Sequence, residues 1–125
     1  MEINDTMDFI RNVYDTYNIS HSILIYDKDE IMMSDVEDLY AKLVHDDYPI
    51  LEVKSVPDNL VSLESKYRMF MLDEKTFKKF IEKKNNNLSN VSVIFCLSST
   101  LLHNTCELLR EHNVKTLNSM HLFSC

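Results

Sequence analysis

Apolar residues along this chain recur with two periods, and the alternation between them predicts the order of elements. Residues 67–72 (YRMFML) and 91–97 (VSVIFCL) are near-continuous apolar runs, the pattern of strands covered on both faces. Between them Phe77, Phe80 and Ile81 recur at helical spacing among charged positions, which predicts a helix from about Asp73 to Lys84. A strand, a helix and a second strand in such close succession predict a parallel, right-handed pairing. This unit is the expected organising centre of the fold.

The flanking segments follow the same two periods. Met7, Phe9, Ile10, Val13, Tyr14 and Tyr17 make a helical stripe over residues 4–17, with Asn4 or Asp5 able to cap its start. Residues 21–26 (HSILIY) read as a short strand before the charged turn DKDE. Val36, Leu39, Tyr40, Leu43 and Val44 predict a helix over 34–44, opened by Ser34 and Glu37 at capping-box spacing. Pro49 suits the first position of a strand over 49–56 (PILEVKSV), which Pro57 ends. Ser99 or Thr100 then caps a helix over 101–112 that buries Leu101, Leu102, Thr105, Leu108 and Leu109, and residues 120–123 suggest a last strand. The expected fold is therefore one α/β domain over residues 1–125, with helices on both faces of a mixed sheet of roughly four or five strands.

Composition narrows the function. The 125 residues are enough for one core without disulfides. No run approaches the ~20 apolar residues of a membrane span, and the acidic opening MEINDTMDF predicts no signal peptide, so an intracellular protein with no membrane partner is expected. Cys96, Cys106 and Cys125 have no close metal-ligand spacing, and an odd count fits a reducing compartment. Cys96 and Cys106 are read as small core residues. The chain has no glycine. Walker loops, dinucleotide fingerprints and kinase phosphate loops all need one, so a nucleotide held by such a loop is excluded and no cofactor is expected. Turns with positive φ must use Asn or Asp instead, with Asn85 to Asn87, Asn113 and Asn118 placed where helices should end.

Four clusters carry candidate chemistry, each beside a plainer reading. A net charge of -7 argues against a protein that coats nucleic acid, yet leaves room for a local basic face. Lys75, Lys78, Lys79 and Lys83 fall on one side of the predicted helix, where they face either DNA phosphates or solvent. Glu52 and Lys54 alternate onto one face of a strand, the spacing of a Mg2+ ligand and a water-activating ammonium; with Asp27 or Asp29 they would complete a nuclease site, and otherwise they are a surface ion pair. Asp27, Asp29 and Asp73, with Ser98 nearby, stand at carboxyl ends of strands, where parallel sheets bind ligands and receiver domains hold Mg2+; they serve equally as turn and cap residues. MLDE followed by SST echoes helicase motor motifs, but without a phosphate loop no ATPase is expected. The five histidines show no ligand-spaced pair, and no serine sits in a nucleophile elbow.

In element order and several short motifs, the chain resembles the N-terminal jaw of the fifth-largest subunit shared by nuclear RNA polymerases. The opening helix (TMDFIRNVYDTYN), an acidic helix (SDVEDLYAKLV), the strand PILEVKSV and a strand ending in acids (YRMFMLDE) follow in the family's order. KTFKKF resembles the family's Lys-Thr, apolar, Lys, any, aromatic helix; VSVIFCLSST resembles its next strand and Thr-started helix; VKTLNSMHLF fits the closing turn and apolar segment. Ser98 and Leu101 stand where the family has Gly and Pro around that Thr, HSILIYD has no counterpart, and neither does the family's C-terminal assembly module. The resemblance implies a restriction-endonuclease-like jaw topology without catalysis, large polymerase subunits as partners, and downstream DNA within reach of the lysine ridge.

Overall fold

The computed structural model describes residues 3–16, 21–52, 67–82, 91–97, 99–111 and 119–122. Among these described residues four helices and five strands occur in the order α1 (Ile3–Thr16), β1 (His21–Tyr26), α2 (Met33–His45), β2 (Ile50–Glu52), β3 (Met69–Asp73), α3 (Glu74–Glu82), β4 (Val91–Cys96), α4 (Ser99–Glu111) and β5 (Ser119–Leu122). Lys54 and Lys83, Ser98, the asparagines expected at helix ends, and Cys125 lie outside the described residues.

The strands form one sheet in the order β2-β3-β1-β4-β5. Every pair in it is parallel, which corrects the mixed sheet expected from the sequence. A second correction concerns the organising unit. β3 and β4 are parallel to each other but not neighbours, because β1 lies between them, with Ile23 in register with Phe70 on one side and Ile94 on the other. β1 is thus the central strand, and from Ser22 to Tyr26 each of its residues is buried.

Helices cover both sheet faces, and each face has its own core. On one side Met7, Ile10 and Val13 of α1 and Val36, Leu39 and Leu43 of α2 pack on Leu24, Tyr26, Met69, Met71, Val93 and Phe95. On the other, Phe77, Phe80 and Ile81 of α3 and Leu101 and Leu109 of α4 pack on Ile23, Ile25, Phe70, Leu72, Ile94 and Cys96. Side chains alternate across each strand, so a sheet covered twice needs unbroken apolar strands. Phe95 joins the first core through edge contact with the Phe9 ring and stacking on Tyr14. Cys96 is fully buried, and burial pushes its thiol up to about 12; Cys106 is half-buried.

Two helix ends depart from expectation. α2 is capped by Met32, with no side-chain cap, and not by Ser34. The turn from Asp27 sets that start: its carbonyl accepts from the N–H groups of Glu30 and Ile31, and the Met32 carbonyl then accepts from Asp35 and Val36. α4 begins at Ser99, two residues before the expected start at 101, so Ser99 and Thr100 both lie inside the helix. At the far end of α2, Asp47 takes φ 66°. The Tyr48 N–H reaches the Leu43 carbonyl and the Asp47 N–H reaches Val44, the bond pair of a Schellman cap with Asp in the place usually held by glycine.

Candidate functional site

The topology creates one crevice by its winding. After β1 the chain passes to α2 on one face; after β3, its neighbour, it passes to α3 on the other. Ligands of open parallel sheets bind outside the carboxyl ends of strands at such a reversal. Here Tyr26 of β1 is in register with Asp73 of β3, and the chain that follows each lines an opening of about 140 Å³ formed by Asp27, Lys28, Asp29, Asp73, Glu74 and Lys75.

Each carboxylate in the crevice has a local origin. Asp73 ends β3 and directly precedes α3, so one of its oxygens, Oδ1, accepts from the Thr76 N–H at 2.7 Å as a helix cap. Its Oδ2 lies 3.1 Å from Lys28 Nζ. Burial raises the Asp73 carboxyl, but the Thr76 N–H and the Lys28 ammonium outweigh it and hold the group below its ordinary value. Asp27 Oδ1 accepts from the Asp29 N–H at 2.9 Å, closing an Asx turn. Glu74 is pushed up, by burial first and then by the negative charges of Asp27 and Glu30, against opposing contributions from Asn104 and Lys78. Among the described residues no three His, Cys, Asp or Glu side chains are placed to hold a metal ion.

Asp27 and Glu52 are kept apart by register. Glu52 is aligned with Met71, which is aligned with Leu24, three residues before Asp27 on β1. Two strand steps of about 4.8 Å and three residues of about 3.3 Å separate their backbones by roughly 14 Å, beyond the joint reach of an Asp and a Glu on one ion. At this edge Asp27 shares its opening with Asp29, Asp73 and Glu74. The expected ridge is brought together in part: Lys75, Lys78 and Lys79 are exposed on α3, while Phe77 and Phe80 are fully buried beneath.

One polar cluster carried no recognised sequence signal. Arg11 of α1 donates from Nε (3.0 Å) and Nη2 to Asp46 Oδ2, and from Nη1 to Asp8 Oδ1 at 3.1 Å. Asp46 is the C-cap residue of α2, so the guanidinium ties the two helices of one layer together. The Arg11 hydrogen bond is the main cause holding the Asp46 carboxyl below its ordinary value. Asp8 and Arg11 are visible as an i,i+3 pair, whereas the Asp46 contact exists only once α1 docks. A groove of about 410 Å³ beside the pair is lined by Asn4, Met7, Asp8, Arg11, Lys42, His45 and Asp46, acids and bases intermixed. The remaining described histidine contacts are local: His103 Nε2 meets Glu107 at 3.2 Å within α4, and His45 lies 3.7 Å from Asp46.

No family model matches the chain, and no curated protein matches it.

Proposed function

We propose that this chain is a non-catalytic binding module, a jaw-like small subunit of a multisubunit DNA-directed RNA polymerase that contributes to assembly and to the handling of downstream DNA. The observation that carries the non-catalytic part is the state of the switch-point crevice. Asp73, the carboxylate that ends β3 there, spends one oxygen on the Thr76 N–H and the other on Lys28. A group committed on both oxygens is a structural anchor and neither a general base nor an open metal ligand. The polymerase part rests on the resemblance of α3, β4 and the start of α4 to the jaw, and the restriction-endonuclease-like topology belongs to the same proposal. Helices over both sheet faces support it; the all-parallel pairing is not among its supports.

The test is affinity purification of the tagged chain from its native cell. Retention of the large polymerase subunits through a moderate salt wash is the expected result, and their absence overturns the polymerase assignment. The purified chain is also expected to leave plasmid DNA intact with Mg2+. Cleavage lost on Glu52→Ala would replace the proposal with a Mg2+-dependent nuclease that uses Glu52 without Asp27.

A further inference from the structure

The large hydrophobic side chains that stay exposed among the described residues all belong to α2 or its cap: Met32 at 70%, Met33 at 40% and Val44 at 48%. Exposed apolar residues scattered singly are ordinary on a folded surface, whereas several on one helix form a patch. By helical periodicity Met33, Glu37, Ala41 and Val44 fall on one flank of α2, to one side of the buried stripe of Val36, Leu39 and Leu43. Half-buried Tyr40 lies between the two stripes. From Met33 to Val44 the flank runs for about 16 Å.

Charge is sorted across the same helix. Glu37 stands within this flank, Asp38 borders it, and Glu30 is exposed in the turn that leads to it. The cations of α2, Lys42 and His45, instead line the groove against α1, beside Arg11 and Asp46. The flank therefore offers apolar contact with an acidic border, and the helix's own cations are turned to the other side.

We propose that this flank of α2 docks a basic amphipathic helix of a protein partner, with apolar residues on Met33 and Val44 and lysines or arginines toward Glu37 and Asp38. Methionine suits such a contact, because its unbranched thioether adapts to varied apolar shapes. Apolar burial supplies the affinity of a docked helix, and the acids set its register and exclude acidic competitors. The same charges disfavour a second copy: two chains meeting by this flank would set their Glu37 and Asp38 against one another near the middle of the contact. The inference does not depend on the polymerase reading, and the two fail separately.

The experiment titrates the full chain into a fluorescein-labelled synthetic helix of leucine and lysine at amphipathic spacing, read by anisotropy. Wild type is expected to bind it and to ignore the same peptide with glutamate in place of lysine. Met33→Ser with Val44→Ser leaves the charge unchanged and is expected to weaken binding about tenfold or more, with circular dichroism and melting as in wild type. Glu37→Gln with Asp38→Asn should weaken binding and reduce its salt dependence, whereas Asp15→Asn with Glu111→Gln, an equal change of charge on α1 and α4, should not. No wild-type binding, or a serine variant that binds as wild type does, overturns the proposal. Equal losses in the two charge variants also overturn it, because the peptide is then drawn only by the net charge of -7. Sedimentation equilibrium is expected to show a monomer; a dimer that the serine variant abolishes would assign the flank to a second copy instead.

Discussion

The carboxyl edge of the sheet and the outer face of α3 are contiguous and both strongly charged, yet the fold treats them in opposite ways. At the edge, Asp27 closes a turn and Asp73 caps a helix while meeting Lys28. One turn further along α3, Lys78 and Lys79 are exposed and the helix is held by Phe77 and Phe80 instead. A charge that completes a turn or cap belongs to the fold. A charge that can be removed without touching the core is free to serve a partner, and by that criterion the lysines, not these aspartates, are the charges to test for function.

The sharpest way to break that comparison is to exchange the two sides of α3. Phe80→Ala, or Phe95→Ala on the other sheet face, empties a fully buried site and is expected to cost about 3 to 5 kcal/mol in chemical denaturation. The Lys75, Lys78, Lys79 glutamine variant should stay within about 0.5 kcal/mol of wild type. A Phe80→Ala chain that melts with wild type would place α3 outside the core and leave the ridge without a support.

Cys96 gives a second separation of buried from exposed chemistry. Its folded thiol is raised from 9.0 to about 12, so the stability tied to keeping it neutral is complete below pH 9. It is lost as pH rises toward 12, because the unfolded thiol ionises first; the loss is of order 1.4 kcal/mol per pH unit. Denaturant midpoints measured from pH 8 to 10.5 should fall, and Cys96→Ala should flatten the decline. An equal decline in that variant would assign the alkaline loss to other groups.

Next in size is the anchor itself. Asp73→Ala removes the cap of α3 and the partner of Lys28, and about 1 to 2 kcal/mol is expected to go with it. Asp73→Asn keeps a cap acceptor and should recover most of that loss. Because the folded Asp73 carboxyl lies below its ordinary value, its contribution is present above about pH 4 and is lost as pH falls. The smallest effect concerns Asp47, which holds a left-handed conformation that glycine adopts freely. Asp47→Gly is expected to raise stability by up to about 1 kcal/mol, measured by the shift in denaturation midpoint.

These predictions rest on features of unequal legibility. The strands 67–72 and 91–97, and the helix between them, are readable because continuous apolar runs and the Phe77, Phe80, Ile81 spacing are local signals. The place of β1 between them is not, since strand order is decided by pairings such as Ile23 with Phe70 and Ile94 that leave no trace in adjacent residues. HSILIY does carry the doubly covered pattern of its two neighbours, which was the available hint. The start of α3 near Asp73 is legible from its cap position, whereas Lys28 as its partner and Arg11 as the partner of Asp46 require the docked fold. Ser34 and Glu37 mimic a cap that the Asp27 turn makes unnecessary.

The claim that the switch-point carboxylates belong to the fold is tested most directly by a carbon-13 titration of the Asp73 and Glu74 side chains, with and without Mg2+. The account predicts that the two move apart, Asp73 below 3.8 and Glu74 above 4.5, and that Mg2+ shifts neither curve. Ordinary values for both, or a saturable displacement of both by Mg2+, would contradict it and return this edge of the sheet to catalysis.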